Sequence, residues 1–398
     1  MDGGLHWRRL VVLSLLVCTS LSACGDRKPG VDPEVTTGVI SILGGKAPEG
    51  FEPVLAPRPI EFPPDHGAHF AQQIEWWYTT IHLESDAETP GAPKRRFGVE
   101  VTFFRFGLDP NADPAARQSE WAARDLYMAH FAVTDPSGRR FRAFERFSRG
   151  AVGLAGASAD PWRVWNETWS LTGVDGSAIP FPITLRASDR DETGAVSIDL
   201  TLTGTSPPLL QGDAGFSRKG PEPGSASHYY SYPSLTARGT LTLEGAVHSV
   251  AGSAWFDHEW STSVLGASLE GWDWFALQFD DGSRLMLYEL RRRDGTDSEY
   301  GAGVWIGADG SVRPLKPEEI SVTVLDRWRS PATQIEYPGL WKIEILPISF
   351  SGVLKPLLED QELRLSTRYW EGAVEATGTI DGKHLAGWGY VELVGYGE

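Results

Sequence analysis

A repeat restricts the fold of this chain more than any other feature. Trp76–Leu83 and Trp272–Phe279 align at one offset, Trp76 with Trp272, Tyr78 with Trp274, and Ile81 and Leu83 with Leu277 and Phe279. A second match sets Tyr127, Ala129, Phe131 and Val133 against Tyr300, Ala302, Val304 and Ile306. The matched residues recur mainly at every second position, which is the period of a strand. Each copy also carries one further strand, Phe97–Phe106 or Arg284–Arg292, and each leads into a turn. Two copies of one antiparallel β unit are the simplest account. Helical periodicity is scarce, with Ala115–Arg124 the best short candidate. Many short strands between Gly- and Pro-rich turns favour tandem antiparallel barrels or sandwiches over a parallel sheet. A barrel of about eight strands leaves room inside for one small ligand.

The stretch Ala254–Gly282 holds four Trp, one His and a cluster of acids. Read as a strand, it sets Ala254, Phe256, His258 and Trp260 on one face and Trp255, Asp257 and Glu259 on the other. After a turn-rich break, a second strand sets Asp273, Phe275, Leu277 and Phe279 on one face and Trp272, Trp274 and Ala276 on the other. Asp273 shares its face with apolar residues, so it needs a partner or a raised pKa. It serves either proton chemistry or a structural partner such as a backbone N–H or an Arg. Asp257 and Glu259 point away from His258 unless the strand bulges.

A net charge of −17, with no basic block beyond the N-terminus, argues against a nucleic-acid partner. At the N-terminus Arg8 and Arg9 precede an apolar run, Leu10–Leu21, too short to span a bilayer. It ends in Leu21-Ser22-Ala23-Cys24, which resembles a bacterial lipobox with Cys24 as the acylated residue. The expectation is an envelope lipoprotein, tied to a membrane through a lipid anchor at Cys24. Cys18 falls within the signal, leaving no pair for a disulfide. The chain then divides into a signal peptide (1–23), a tether (24–50) and two domains (51–245 and 246–398).

Several blocks carry a family likeness: Glu75-Trp76-Trp77-Tyr78, Glu145-Arg146-Phe147-Ser148-Arg149, Gln211-Gly212-Asp213, Tyr229-Tyr230-Ser231-Tyr232, Asp257-His258-Glu259-Trp260, Gly271-Trp272-Asp273-Trp274-Phe275 and Gly389-Tyr390-Val391-Glu392. Together, from about Phe51 to the C-terminus, the chain resembles the AttH/CrtC lipocalin-like family, which includes carotenoid 1,2-hydratases. The resemblance implies an all-β fold of two tandem lipocalin-like (calycin) barrels and a hydrophobic ligand from isoprenoid or lipid metabolism. Its hydratase branch adds water to a terminal carotenoid double bond and uses no metal or organic cofactor. That branch depends on a His-x-Trp pair, which falls here on His258 and Trp260. Its Tyr-x-Asp pair is not matched to residues of this chain.

Hydrating an unactivated alkene needs a proton donor, a stabiliser for the resulting cation, and a delivered water. A carboxylic acid of raised pKa or an imidazolium supplies the proton, and aromatic faces stabilise the cation. The candidate acids are Asp257, His258, Glu259 and Asp273, with His258 and Asp273 expected to share one cavity. Trp260, Trp272 and Trp274 are the candidate aromatic wall. Tyr229, Tyr230, Trp77 and Glu75 are the other candidate ligand contacts, and Trp388, Tyr390 and Glu392 are expected to line the second barrel. The same residues also suit a lipid carrier, or plain packing at a domain junction. His130 reads as a core histidine. His66-x-x-His69 has metal-like spacing only on a helix, which Pro63-Pro64 disfavours, so no metal is expected. There is no Gly-x-Ser-x-Gly elbow and no nucleotide-binding glycine loop.

Overall fold

The computed structural model describes residues 49–86, 94–111, 119–174, 179–263, 265–266, 268–296 and 298–397. The expected signal peptide, Cys24 and nearly all of the tether lie outside them, as does part of the expected helix at Ala115–Arg124. The described part of that helix, Ser119–Arg124, is turn and coil.

Among the described residues the strands form two antiparallel sheets, one a nearly closed barrel and one a half-barrel. The first sheet contains β1 (Ile74–Ser85), β2 (Arg96–Gly107), β3 (Asp125–Asp135), β4 (Arg140–Arg149), β5 (Ala155–Ala159), β6 (Trp162–Asn166) and β7 (Trp169–Thr172). It continues with β8 (Ile183–Asp191), β9 (Gly194–Thr203), β10 (Leu209–Leu210), β11 (Phe216–Arg218), β12 (Ala226–Leu243) and β13 (Ala246–Ser261). The second sheet contains β14 (Leu269–Phe279), β15 (Arg284–Arg292), β16 (Ala302–Ile306), β17 (Val312–Leu315) and β18 (Ile320–Arg329). It is completed by β19 (Glu336–Ile345), β20 (Phe350–Pro356), β21 (Glu362–Arg364), β22 (Arg368–Ile380) and β23 (Lys383–Val394). The spatial orders are β4-β3-β2-β1-β13-β12-β9-β8-β7-β6-β5 and β17-β16-β15-β14-β23-β22-β20-β19-β18, with β10 and β11 on β12 and β21 on β22. This is the tandem lipocalin-like fold that the repeat and the resemblance implied.

The repeat has a direct structural meaning. β1 and β14 each open a four-strand meander, and each also pairs with the last long strand of its sheet, β13 or β23. The division at 245/246 does not follow the sheets: β13 pairs along its length with β1 and β12, so the change of sheet falls after Ser261.

Alternation sorts the side chains into three cores. Trp77, Ile81, Phe256 and Trp260 pack inside the first barrel, and Phe275, Leu277, Trp341 and Leu393 inside the second. Between the sheets lies a third core, drawn from the outer faces of both. Tyr78, Tyr229 and Trp255 meet Trp274, Met286, Tyr288 and Tyr390 there. Gly98 allows this approach, because a Cβ at that position would lie 2.7 Å from the Tyr390 hydroxyl. Tyr390 and Glu392 therefore face the first sheet, and not the interior of the second barrel as expected. The reason is parity: Val391 and Leu393, their neighbours in sequence, fill that interior.

Candidate active site

The third core is incomplete. It leaves a partly enclosed cleft of about 80 Å³. Trp76, Tyr78, Phe104, Trp272, Trp274 and Tyr288 supply aromatic walls, and Asp257, Glu259, Lys219 and Glu392 are the charged or acidic groups that line it. Among the described residues, the interiors where ligand space was expected hold packed side chains, Trp77, Phe256 and Trp260 in the first barrel and Phe275 and Trp341 in the second. Burying large aromatics there stabilises the fold but leaves the ligand space outside the barrels.

Strand parity brings Asp257 and Glu259 to this cleft. Asp257 accepts hydrogen bonds from Ser231 Oγ at 2.5 Å, Trp255 Nε1 at 2.7 Å and Tyr229 Oη at 2.9 Å. Its burial outweighs those three donors, and Glu259 adds repulsion, so its pKa is pushed up to about 7. Glu259 accepts from Ser227 Oγ and pairs with Lys219 Nζ at 3.2 Å. Lys219 is itself buried. Burial opposes its charge, but Glu259 more than offsets this, and its pKa is raised. Its Nζ lies 4.2 Å from the centre of the Tyr288 ring.

Glu392 is the acid best placed to deliver a proton. Its Oε2 accepts from Trp272 Nε1 at 2.9 Å, which is its one hydrogen bond among the described residues. Burial, partly offset by Trp272 and reinforced by Glu259 and Asp257, pushes its pKa up to about 7. A proton on Oε1 can therefore face the cleft, whereas the carboxyl of Asp257 is enclosed by its three donors. Below the cleft, Glu371 accepts from Tyr78 Oη at 2.7 Å and Glu100 accepts from Thr102 Oγ1. Burial raises both, Glu100 to about 8, and each repels Glu392.

His258 and Trp260 lie on the other face of β13, inside the first barrel. His258 Nε2–H donates to Glu75 Oε1 at 2.8 Å, and Nδ1 lies 3.0 Å from Tyr230 Oη. His69 Nδ1–H donates to the same Glu75 oxygen at 2.6 Å, and His69 Nε2 lies 3.0 Å from Asp65 Oδ1. Arg105 bridges Glu75 and Asp125. Burial outweighs the pull of Glu75 on His258 and lowers its pKa to about 4, so it is neutral. On His69 the balance reverses. Burial opposes the charge, but Glu75 and Asp65 raise the pKa. Burial of Glu75 is likewise outweighed, by His69 and Arg105, and Glu75 is held well below the usual carboxylate range. Trp260 stacks on His69 at 3.7 Å and Trp77 on His258 at 4.7 Å.

His69, Glu75 and His258 could hold a metal ion, since their ligand atoms lie within 4.8 Å of one another. Hydrogen bonds at 2.6 and 2.8 Å already join them, so a cation would have to displace both bridging protons. His66 is not part of this group; its Nδ1 lies 2.7 Å from Tyr230 Oη.

The structure thus separates the candidates named from the sequence. Asp257, Glu259, Tyr229, Trp272 and Trp274 line the cleft, while His258, Trp260, Trp77, Tyr230 and Glu75 line the filled interior of the first barrel. Asp273 does neither. It lies on the inner face of the second sheet, where Arg291 Nε is 2.9 Å away and Tyr396 Oη donates to it at 2.9 Å. His258 and Asp273 therefore share no cavity, because the parity of β13 and β14 points them into different barrels. Asp273 has the Arg partner that the sequence left open.

Sequence reasoning missed Lys219, Tyr288 and the orientation of Glu392. The long Gly- and Pro-rich segment 204–232 was a signal for Lys219, which it carries into the cleft. Nothing local singled out Tyr288.

Comparisons with known proteins agree with this architecture. The chain is 28% identical over 219 residues to a kievitone hydratase of Fusarium solani subsp. phaseoli, a match covering 52% of this chain and 59% of that protein. The chain thus spans about three-fifths of that relative's length. It is 24% identical over 286 residues to the dehydratase asqC of Emericella nidulans, covering 68% and 76%. Among solved structures, a putative AttH protein of Nitrosomonas europaea superposes with a TM-score of 0.74 at 33% identity, covering 87% of this chain and 99% of that one. A kievitone hydratase from Nectria haematococca shares the fold, with a TM-score of 0.61 at 17% identity over 89% and 98%. The AttH-like family model matches residues 53–396, and the chain belongs to that family.

Proposed function

We propose that the cleft between the sheets adds water to, or removes it from, an apolar isoprenoid or lipid by acid catalysis. The observation that supports this best is Glu392, a carboxyl with a pKa pushed up to about 7 that lines an aromatic cleft and takes its one hydrogen bond among the described residues on Oε2. In the hydration direction Glu392 protonates one alkene carbon. The cation forms on the other carbon, against the faces of Trp76, Trp272 and Trp274. Water then adds to it. Asp257 and the Glu259–Lys219 pair set the field at that site and hold polar groups of the ligand. Two relatives bearing hydratase and dehydratase names support the same chemistry. On this reading the protein works as an envelope lipoprotein held by Cys24, which would place the cleft beside its apolar substrates.

Mass spectrometry of an envelope lipid extract, incubated with detergent-solubilised full-length protein, tests the reaction. Wild type should convert a species by the mass of water, and Glu392→Gln should not. If both instead enrich the same unchanged lipid, the protein is a carrier and the catalytic reading is wrong. Loss of radiolabelled palmitate incorporation in Cys24→Ser tests the anchor.

A further inference from the structure

The reaction proposed above also needs a base for the attacking water. We propose that Tyr369 is that base, acting through His130 and Glu145 as a proton relay assembled from both sheets. Tyr369 and His130 line the cleft. His130 Nδ1 lies 2.7 Å from Tyr369 Oη, and His130 Nε2 lies 3.1 Å from Glu145 Oε1 and 3.5 Å from Thr367 Oγ1. Ser366 Oγ donates to the same oxygen of Glu145 at 2.6 Å. His130 and Glu145 stand opposite each other on β3 and β4, whereas Tyr369, Thr367 and Ser366 come from the second sheet and the turn before it. The relay therefore exists only where the two sheets meet.

The geometry fixes the direction of proton flow. Burial of Glu145 is outweighed by its bonds from His130 and Ser366, which lower its pKa and keep it a carboxylate. A carboxylate accepts only, so in the neutral imidazole His130 carries its proton on Nε2 and presents Nδ1 as an acceptor. The Tyr369 O–H must then donate to Nδ1, leaving its oxygen lone pairs for a cleft water. Burial and the nearby Glu100 and Glu371 raise the phenol well above its ordinary value, so it stays protonated until it is used.

In the hydration direction, the proton of Glu392 forms the new C–H bond and leaves Glu392 a carboxylate. The water oxygen forms the C–O bond to the cation. One water proton passes to Tyr369 Oη as the Tyr369 proton passes to His130 Nδ1. The turnover ends with His130 as an imidazolium against Glu145, and proton transfer from it through cleft water back to Glu392 resets the site. Dehydration runs the same steps in reverse, the imidazolium protonating the departing hydroxyl through Tyr369.

Two measurements on the full chain in detergent test the relay. In the first, ¹⁵N-histidine NMR, with the His130 signals assigned by their loss in His130→Gln, should show Nδ1 unprotonated, and Tyr369→Phe should shift that nitrogen. A protonated Nδ1 overturns the relay, because that imidazole cannot take the tyrosine proton. In the second, kcat and KM are measured with kievitone as probe. Tyr369→Phe and Glu145→Gln should lower kcat about 100-fold or more with KM within a factor of about two. Glu145→Gln should also move the basic limb of the pH profile, which a purely structural role would not do. An active wild type with equally active variants overturns the relay and leaves the hydratase reading standing. If wild type does not turn over kievitone, that reading loses its support on this probe, and the NMR result alone decides the relay. Melting curves of both variants guard against misfolding.

Discussion

Replacing Glu392 by Gln should stabilise the protein at neutral pH and abolish its activity. Burial moves the Glu392 pKa from 4.5 to about 7. At about 1.36 kcal/mol per unit, that shift corresponds to roughly 3 kcal/mol. Glu392 is half-buried at the wall of the cleft, which trims the figure to about 2 kcal/mol. The sign follows from the folded pKa being raised. Native protein holds its proton more tightly than unfolded chain, so this residue costs nothing below pH 4.5. Stability is then lost as pH rises through 7. Gln cannot ionise, and its amide oxygen can still accept from Trp272. Urea unfolding at pH 4.5, 6 and 8 should find the two proteins equal at the lowest pH and the variant about 2 kcal/mol more stable at the highest. Turnover by wild type should fall with a midpoint near pH 7 as the acid is lost, at the pH where the stability difference levels off. A difference that stays constant across pH would refute the assignment of Glu392 as a buried acid of raised pKa.

Three other changes are informative. Lys219→Met leaves Glu259 buried without its counter-charge and should cost about 3–5 kcal/mol in chemical denaturation, with Lys219→Met/Glu259→Gln regaining most of that loss. His258→Ala and Asp273→Asn should be additive in stability within about 0.5 kcal/mol, because the two side chains point into different barrels; a larger coupling would contradict their placement. His69 has a raised pKa, so its contribution is complete below pH 6.5 and is lost as pH rises through the folded value. His69→Gln should flatten that part of the stability profile, and Trp fluorescence should report it through the stacked Trp260.

Period-two patterns made the architecture legible. Two Trp-led strands at a fixed offset announced a duplicated antiparallel unit, and those strands prove to face each other, with Tyr78 and Trp274 in edge contact at 5.2 Å. The same alternation correctly split Asp257 and Glu259 from His258 and Trp260. It could not say which face looks inward, because both faces of β13 and β14 are buried: one covered by its own barrel, the other by the opposite sheet. An apolar strand with two covered faces carries no polar side to orient it. Glu392 was misplaced for this reason. Lys219 was missed for another, since it reaches the cleft from an irregular segment without any period. His130 looked like a core histidine because one residue cannot reveal a partner 239 positions away.

The Asp-His-Glu-Trp block shows how one strand serves two environments. Its odd positions meet the cleft, where Asp257 gains a pKa near 7 and Glu259 holds a buried lysine. Its even positions meet the barrel, where neutral His258 and charged His69 share one oxygen of Glu75. A one-residue slip would put a carboxylate against Trp77 and an imidazole into the cleft, destroying both sets of hydrogen bonds at once. The His258–Glu75 bond links β13 directly to β1, at a position where Trp77 and His258 are paired in register. It therefore fixes the strand that presents Asp257. On this geometry, loss of activity on changing His258 would report the displacement of Asp257 and Glu259, and would appear together with a loss of stability. Loss of activity at Glu392, which lines the cleft, should appear without one.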